Sequence, residues 1–414
     1  MNLFKVSFYS AISQATSIIV GLVAVKILAV QIGPEGVALQ SQFLNSTIFF
    51  YILSTGAINS GTIKYLSQYF KDKPRQLQVI RVSLTICIIC SVLFGLSLAA
   101  LSGTLAKKAL MNLSFKNAYL LYGLFLPITA LNFILSSILN GLREIKYLTL
   151  INIATSVINL VFLILFANTF NLYGILIYVN FANLLIFILH LFLINKYRWF
   201  SFYALKPLFN RELVLKLFNF SLMSIFAACI APLSQIIIRN KLINDYGLTR
   251  AGEWQTVMRI SDFYLSFLTG VLSIYLLPKL SSLSQTKQIK AELLRTAKLV
   301  FPIVIILTLT IWLCRDLIIH ILLTDKFRGI KELFNFQLMG DVFKIGGWGL
   351  SMVLWAKAQT KLYLIVDSIS LLIYLGVTIL CINYFATMGA TIGFCISYFI
   401  YFITMVFLNR KYLF

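Results

Sequence analysis

The 414-residue chain is 60% hydrophobic and only 12% charged, with a mean hydropathy of +0.91. Ordinary soluble domains are ~45–50% apolar and ~25% charged, so the composition excludes a water-soluble enzyme. The formal charge of +22, from 35 Lys and Arg against 13 Asp and Glu, would suggest nucleic acid in a soluble protein. In a membrane protein it points instead to basic cytoplasmic loops and an anionic ligand.

The first apolar run, near 7–31, follows Lys5 and contains Lys26. It is too long for the apolar core of a signal peptide and reads as an uncleaved helix. Further runs lie near 36–63, 79–103, 117–140, 147–168 and 173–195, and a second set near 214–238, 252–277, 296–320, 333–355, 362–382 and 387–408. Each is about the 20 residues one crossing takes, and a helix satisfies its own backbone in lipid. Gly33-Pro34, Lys73-Pro74, Gly141-Leu142-Arg143, Lys206-Pro207 and Gly329 punctuate the runs. With the N-terminus inside, 22 basic residues fall in cytoplasmic segments, 10 in the opposite loops and three within spans. Both termini are therefore expected in the cytoplasm.

The halves repeat each other. Residues 173–197 align without gaps on 388–412 at an offset of 215, with eight identities in 25. Lys146 falls on Lys361, Leu66-Ser67-Gln68 on Leu283-Ser284-Gln285, and Gly36 on Gly252. A six-helix unit is even, so both copies have the same topology. The expected fold is an all-α polytopic membrane protein of twelve transmembrane helices. They form two parallel-repeat six-helix bundles, 1–205 and 206–414, around a central cavity that opens to alternate sides by rocking.

Six ionisable residues interrupt the spans: Lys26, Arg259, Asp262, Asp341, Lys344 and Asp367. Each costs about 2.5–3.5 kcal/mol at a helix centre, which makes it a functional candidate. Arg259 and Asp262, like Asp341 and Lys344, are i,i+3 neighbours and can neutralise each other. These pairs read either as structural locks or as cavity-lining groups that meet substrate or ions. Lys26 has no carboxylate one turn away, and reads as a ligand contact or as a lysine snorkelling to the interface. Asp367 reads equally as helix-end solvation.

Gln255, Arg259, Asp262, Ser266 and Ser273 form one polar stripe; Gln337, Asp341, Lys344, Trp348, Ser351 and Trp355 form another. On the first helix Ser10, Gln14, Ser17 and Gly21 make a third. Gln14, Gln255, Gln337 and Trp348 are the candidate cavity lining, where rings either stack on sugars or pack the core. Asn152, Thr155 and Asn159 line a cavity or join helices. Pro127, Pro232 and Pro302 are packing kinks or hinges, and Tyr197 and Trp199 fit an interfacial belt.

Cys87 and Cys90 form a CxxC inside a span and, with Cys229, Cys314, Cys381 and Cys395, read as packing residues. His190 and His320 are the only histidines, so a metal site has few ligands to draw on. The chain carries no phosphate-binding GxxxxGK[ST] loop, HExxH or GxSxG motif. No metal, cofactor or enzymatic activity is expected.

The stretches VKILAVQIGPEGVALQ, GTIKYLSQY, GEWQTVMRISDFYLSFLTGVLSIYLLPKLS and FQLMGDVFKIGGWGLSMVLWAKAQ resemble Wzx-type lipid-linked oligosaccharide flippases. These belong to the multidrug/oligosaccharidyl-lipid/polysaccharide exporter superfamily, and the likeness is greatest to those carrying lipid III or O-antigen units. The resemblance spans both halves. It implies movement of an undecaprenyl-diphosphate-linked oligosaccharide from the cytoplasmic to the periplasmic leaflet of the bacterial inner membrane. Lys26, Lys64, Asp262, Asp341 and Lys344 match the family's charged positions, whereas Arg259 departs from a small polar residue. On this reading Lys26, Arg259, Lys344 and Lys64 hold substrate, while Asp262, Asp341 and Asp367 serve as coupling or cavity ion pairs. Partners are the glycan carrier, membrane lipids and the O-antigen or common-antigen polymerase and chain-length regulator; nucleic acid is not one. Two alternatives stand beside it, a drug/cation antiporter of the same superfamily and a membrane polymerase or ligase acting on polyprenyl-linked glycan. The first should carry unpaired carboxylates and the second a large periplasmic loop.

Overall fold

A computed structural model describes residues 3–194, 206–283, 285–327, 329–357 and 359–413. Tyr197 and Trp199 lie outside the described residues, as do the side chains of Lys5, Ser10 and Cys229. Among the described residues every regular element is helical. The helices are α1 (Leu3–Ser54), α2 (Asn59–Gln68), α3 (Lys73–Ala109), α4 (Lys116–Gly141), α5 (Ile145–Ile194) and α6 (Arg211–Ser282). They continue with α7 (Thr286–Leu313), α8 (Arg315–Leu322), α9 (Ile330–Ala356), α10 (Thr360–Phe385), α11 (Met388–Leu408) and α12 (Arg410–Leu413).

Eight helices among the described residues are long and apolar enough to cross a membrane. Three of these stretches, of 57, 49 and 51 residues, would each extend more than 70 Å at about 1.5 Å per residue, over twice the ~30 Å hydrocarbon core. Each contains a break. In α1 it is Gly33 (φ 61°, ψ −171°), followed by Pro34, which has no N–H to continue the ladder. In α5 it is Asn171 (φ 49°, ψ −132°), and in α6 Gly247 (φ 85°, ψ 169°). Between α10 and α11, Ala386 adopts φ 52° and ψ −137°. Gly33 and Gly247 are 214 residues apart and Asn171 and Ala386 are 215 apart, and each pair shares one backbone conformation.

The chain forms two compact units, one of Met1–Val20 and Gln40–Leu233, the other of Gly21–Leu39 and Ser234–Phe414. In the first, α3 starts where Asp72 accepts the Arg75 backbone N–H at 3.1 Å, with Pro74 in the opening turn. It packs along α4 at a glycine crossing, where a Cβ on Gly95 would lie 2.6 Å from the Gly123 carbonyl oxygen. Small residues let helix backbones approach in this way. Ile58, Leu66, Val79, Cys87, Ile134 and Ile138 form its core, so Cys87 is a packing residue. In the second unit, α9 packs on α11 and α11 on α10. Leu265, Leu272, Val304 and Ile345 join α6, α7 and α9 in one cluster.

Candidate functional site

Helical spacing sets the polar face of α9, because Gln337, Asp341, Lys344 and Trp348 lie four, three and four residues apart. Gln337 and Asp341 are fully buried. Asp341 accepts hydrogen bonds from the Tyr264 hydroxyl on α6 and, at 3.3 Å, from Gln337 Nε2. A carboxylate removed from water needs such donors.

Lys344 turns the other way. Its Nζ stands 3.4 Å from Asp262 Oδ1 on α6 and 5.5 Å from the ring centres of both Phe394 and Tyr398 on α11, within cation–π range. To the neutralisation expected between Asp341 and Lys344 along one helix the structure adds a pair between helices. Asp341 already takes two donors, and Asp262 offers Lys344 an acceptor on the neighbouring helix.

Lys344 and Trp348 open onto a cavity of about 120 Å³ shared with Asp367, Ser370, Leu371 and Ser397 and walled by Tyr363, Tyr374, Tyr398 and Tyr401. Asp367 on α10 is half-buried. The structure therefore gathers Gln337, Asp341, Asp262, Lys344, Trp348 and Asp367 in one neighbourhood of the second unit. Arg259 lines a narrow cleft with Val25, Leu28, Ala29, Val37 and Thr256. Lys26, beside that cleft in sequence, is exposed. Gln255 is buried and accepts from Arg239 Nη2.

Two predicted residues belong to the other unit. Gln14 is half-buried on the first segment of α1, where Ser17 Oγ lies 3.1 Å from Ser156 Oγ. Lys64 on α2 is exposed, its ammonium 5.2 Å from the Tyr65 ring centre.

Sequence reasoning missed Arg239, which is 0% exposed and lies 5.9 Å from the Trp254 ring centre. It sits at the edge of an apolar run and so reads as a loop cation. Tyr264, Tyr374 and Tyr398 were missed as well, since a tyrosine in an apolar helix gives no pattern that separates a site from a core. A larger cavity, about 730 Å³, lies elsewhere in the second unit, around Glu35, Thr249, Arg250, Glu253 and Lys326. There Glu253 accepts the Gly329 N–H at 2.8 Å and pairs with Arg250 at 2.9 Å, tying α6 to the start of α9.

Long apolar helices, interrupted at matched points and carrying a charged, aromatic-walled pocket inside one unit, define a polytopic membrane protein. A family model described as "Polysaccharide biosynthesis protein" matches residues 3–284, and the chain belongs to that family. It is 29% identical over 403 residues to the Lipid III flippase of Escherichia coli (strain K12), covering 97% of each chain, and equally to that of Shigella flexneri. Its fold is similar to the inward-facing conformation of a multidrug resistance MATE family transporter of the MOP superfamily, at a TM-score of 0.83 and 14% identity, covering 97% of this chain and 98% of that one. An outward-facing MATE family structure matches at a TM-score of 0.71 and 15% identity, over 99% and 95% of the two chains. Identities this low show the fold alone.

Proposed function

We propose that this protein is a flippase, not an enzyme. It carries an undecaprenyl-diphosphate-linked glycan, a lipid III or O-antigen unit, from the cytoplasmic to the periplasmic leaflet of the bacterial inner membrane. The observation that carries the proposal is the match to the Lipid III flippases over 97% of both chains. The charged neighbourhood of Asp262, Asp341 and Lys344 supports it, since such residues within spans mark pathways and binding sites.

The twelve-span architecture is part of this proposal. The three over-long stretches, divided at Gly33, Asn171 and Gly247, raise eight candidates to eleven. The 27-residue α9, whose charges depress its hydropathy, supplies the twelfth. The matched breaks 214 and 215 residues apart support two repeats of one six-helix unit, with the cut near 205 and both termini cytoplasmic.

In the proposed mechanism Lys26, Arg259 and Lys344 supply positive potential for the diphosphate, and Lys64 helps recruit it at the cytoplasmic face. Arginine grips phosphate bidentately, whereas lysine acts as a point charge. Asp262, Asp341 and Asp367 keep these cations neutralised between substrates. An inside-negative potential favours outward movement of an anion by about 2.3 kcal/mol per charge per 100 mV. The polymerase and chain-length regulator of the same glycan are the proposed protein partners.

Complementation tests the proposal. Expressed in strains each lacking one glycan flippase, the chain should restore one surface glycan, and Lys26→Ala or Lys344→Ala should abolish it with the protein still inserted. Restoration of none, or full export by both variants, refutes the assignment.

A further inference from the structure

The second unit carries a groove of about 550 Å³ between the last part of α6 and the first half of α7. Its apolar walls include Phe267, Leu268, Leu272, Leu299, Val300 and Ile303. Phe267, Leu299 and Ile303 are 42%, 65% and 41% exposed on helices long and apolar enough to cross a membrane, so these side chains lie against hydrocarbon. From Glu292 to Ile303 the wall climbs about 16 Å at ~1.5 Å per residue, half of the ~30 Å hydrocarbon core. The groove is one leaflet deep.

Charge is confined to one end. Glu292 and Arg295 both line the groove and stand three residues apart on α7, a spacing at which opposite charges commonly pair. Among the described residues no ion pair joins them. Glu292 accepts the Tyr275 hydroxyl at 2.7 Å through Oε1, and a carboxylate has capacity for further donors at its other oxygen. Arg295 is exposed and has no hydrogen bond or ion pair among the described residues. A groove that is apolar for one leaflet and ends in a separated acid and base fits an amphiphile whose head carries both charges. A polyprenyl diphosphate or an anionic phospholipid would satisfy Arg295 but set its phosphate against the Glu292 carboxylate, with no cation to offer it. A soluble ligand would leave the apolar walls bare. Lys287 and Lys298, near in sequence, draw anionic lipid to the neighbourhood, so an anionic phospholipid is the rival to exclude.

We infer that this groove binds a zwitterionic aminophospholipid, its acyl chain along Phe267, Leu299 and Ile303, its phosphate on Arg295 and its primary ammonium on Glu292. A primary ammonium donates charge-assisted hydrogen bonds to a carboxylate, whereas a quaternary ammonium has no N–H to give. The occupant is a lipid of the bilayer, and the site is independent of what the protein carries.

Native mass spectrometry of the protein released from nanodiscs of equimolar phosphatidylethanolamine, phosphatidylglycerol and phosphatidylcholine tests the site. Leu299→Trp, at an exposed position, fills the groove without entering the core and should retain one lipid fewer than wild type. The lipid lost should be phosphatidylethanolamine, favoured about three- to tenfold over either of the others. Glu292→Gln can still accept the Tyr275 hydroxyl, so the fold is kept, and it should erase that preference. Arg295→Gln should lower retention of all three. The assignment is overturned if Leu299→Trp loses no lipid or loses phosphatidylglycerol, if ethanolamine and choline heads are held equally, or if Glu292→Gln keeps the preference. Displacement of the lipid by undecaprenyl diphosphate at equal concentration also overturns it, by giving the groove to the cargo.

Discussion

The two units hold their helices together by different means. In the first, neutral side-chain bonds join spans: Asn132 Nδ2 donates to the Asn183 carbonyl oxygen at 2.8 Å, Thr62 and Ser83 lie 2.9 Å apart, and Ser46 meets Tyr119 at 2.7 Å. In the second lie all six ionisable residues that sequence places within spans: Lys26, Arg259, Asp262, Asp341, Lys344 and Asp367. Hydrogen bonds of the first kind fix geometry and are indifferent to voltage. Charges of the second kind respond to membrane potential. The two units thus differ in kind, one joined by neutral bonds and the other carrying the charges that interrupt its apolar helices.

Substitutions graded by size test that contrast. The largest effect is expected at Lys344: Lys344→Met should cut glycan export at least about a hundredfold. Its cost in stability should stay well below the about 3–5 kcal/mol of breaking a fully buried pair, because the Asp262 side chain is 54% exposed. Adding Asp262→Asn should restore membrane abundance without restoring export, read by immunoblot and surface-glycan staining. Export recovered by the double variant would show the pair to be only a structural lock.

Next comes the scaffold. Gly95→Val pushes a side chain against the Gly123 carbonyl and should destabilise the first unit by roughly 1–3 kcal/mol, seen as a lowered midpoint in detergent thermal unfolding. Tyr264→Phe removes one donor from the buried Asp341 and should cost about 1–3 kcal/mol, with export falling more than abundance. Thr62→Val, in the neutral network, should cost only about 0.6 kcal/mol and leave export unchanged. If Thr62→Val impairs export as strongly as Tyr264→Phe, the division between the units is wrong.

The smallest effect belongs to the exposed pair at the start of α6. The hydrogen bond and charge of Lys216 hold the Glu212 carboxyl below its ordinary range. A depressed carboxyl contributes above its unfolded pKa and loses that contribution as pH falls through the folded value. Solvent screens so exposed a pair, so Glu212→Gln should leave the thermal midpoint unchanged from pH 7 to pH 5.

Much of this was legible in the residues. Gly33-Pro34 announces a break because one residue permits φ above zero and the next removes an N–H. The stripe Gln337–Asp341–Lys344–Trp348 announces a polar helix face because its spacing follows the helical turn. The partner of Lys344 was not legible: periodicity names the face a charge lies on, and the neighbouring helix decides what it meets there. Arg239 was hidden by its place at the end of an apolar run. The break at Asn171 was legible as the gap between the runs near 147–168 and 173–195, though not as a particular residue, because asparagine reaches positive φ without the turn chemistry that usually accompanies it.

Ala386 has φ 52°, a conformation that residues with a Cβ rarely take, and Asn171, 215 residues earlier, bends in the same way. The two bends share a conformation and differ in residue. At Ala386 the two helices also approach closely, since a Cβ on Gly389 would lie 2.2 Å from the Cys381 carbonyl oxygen. The α10–α11 corner is therefore held by the packing of the two helices it joins, with no permissive residue at the turn itself.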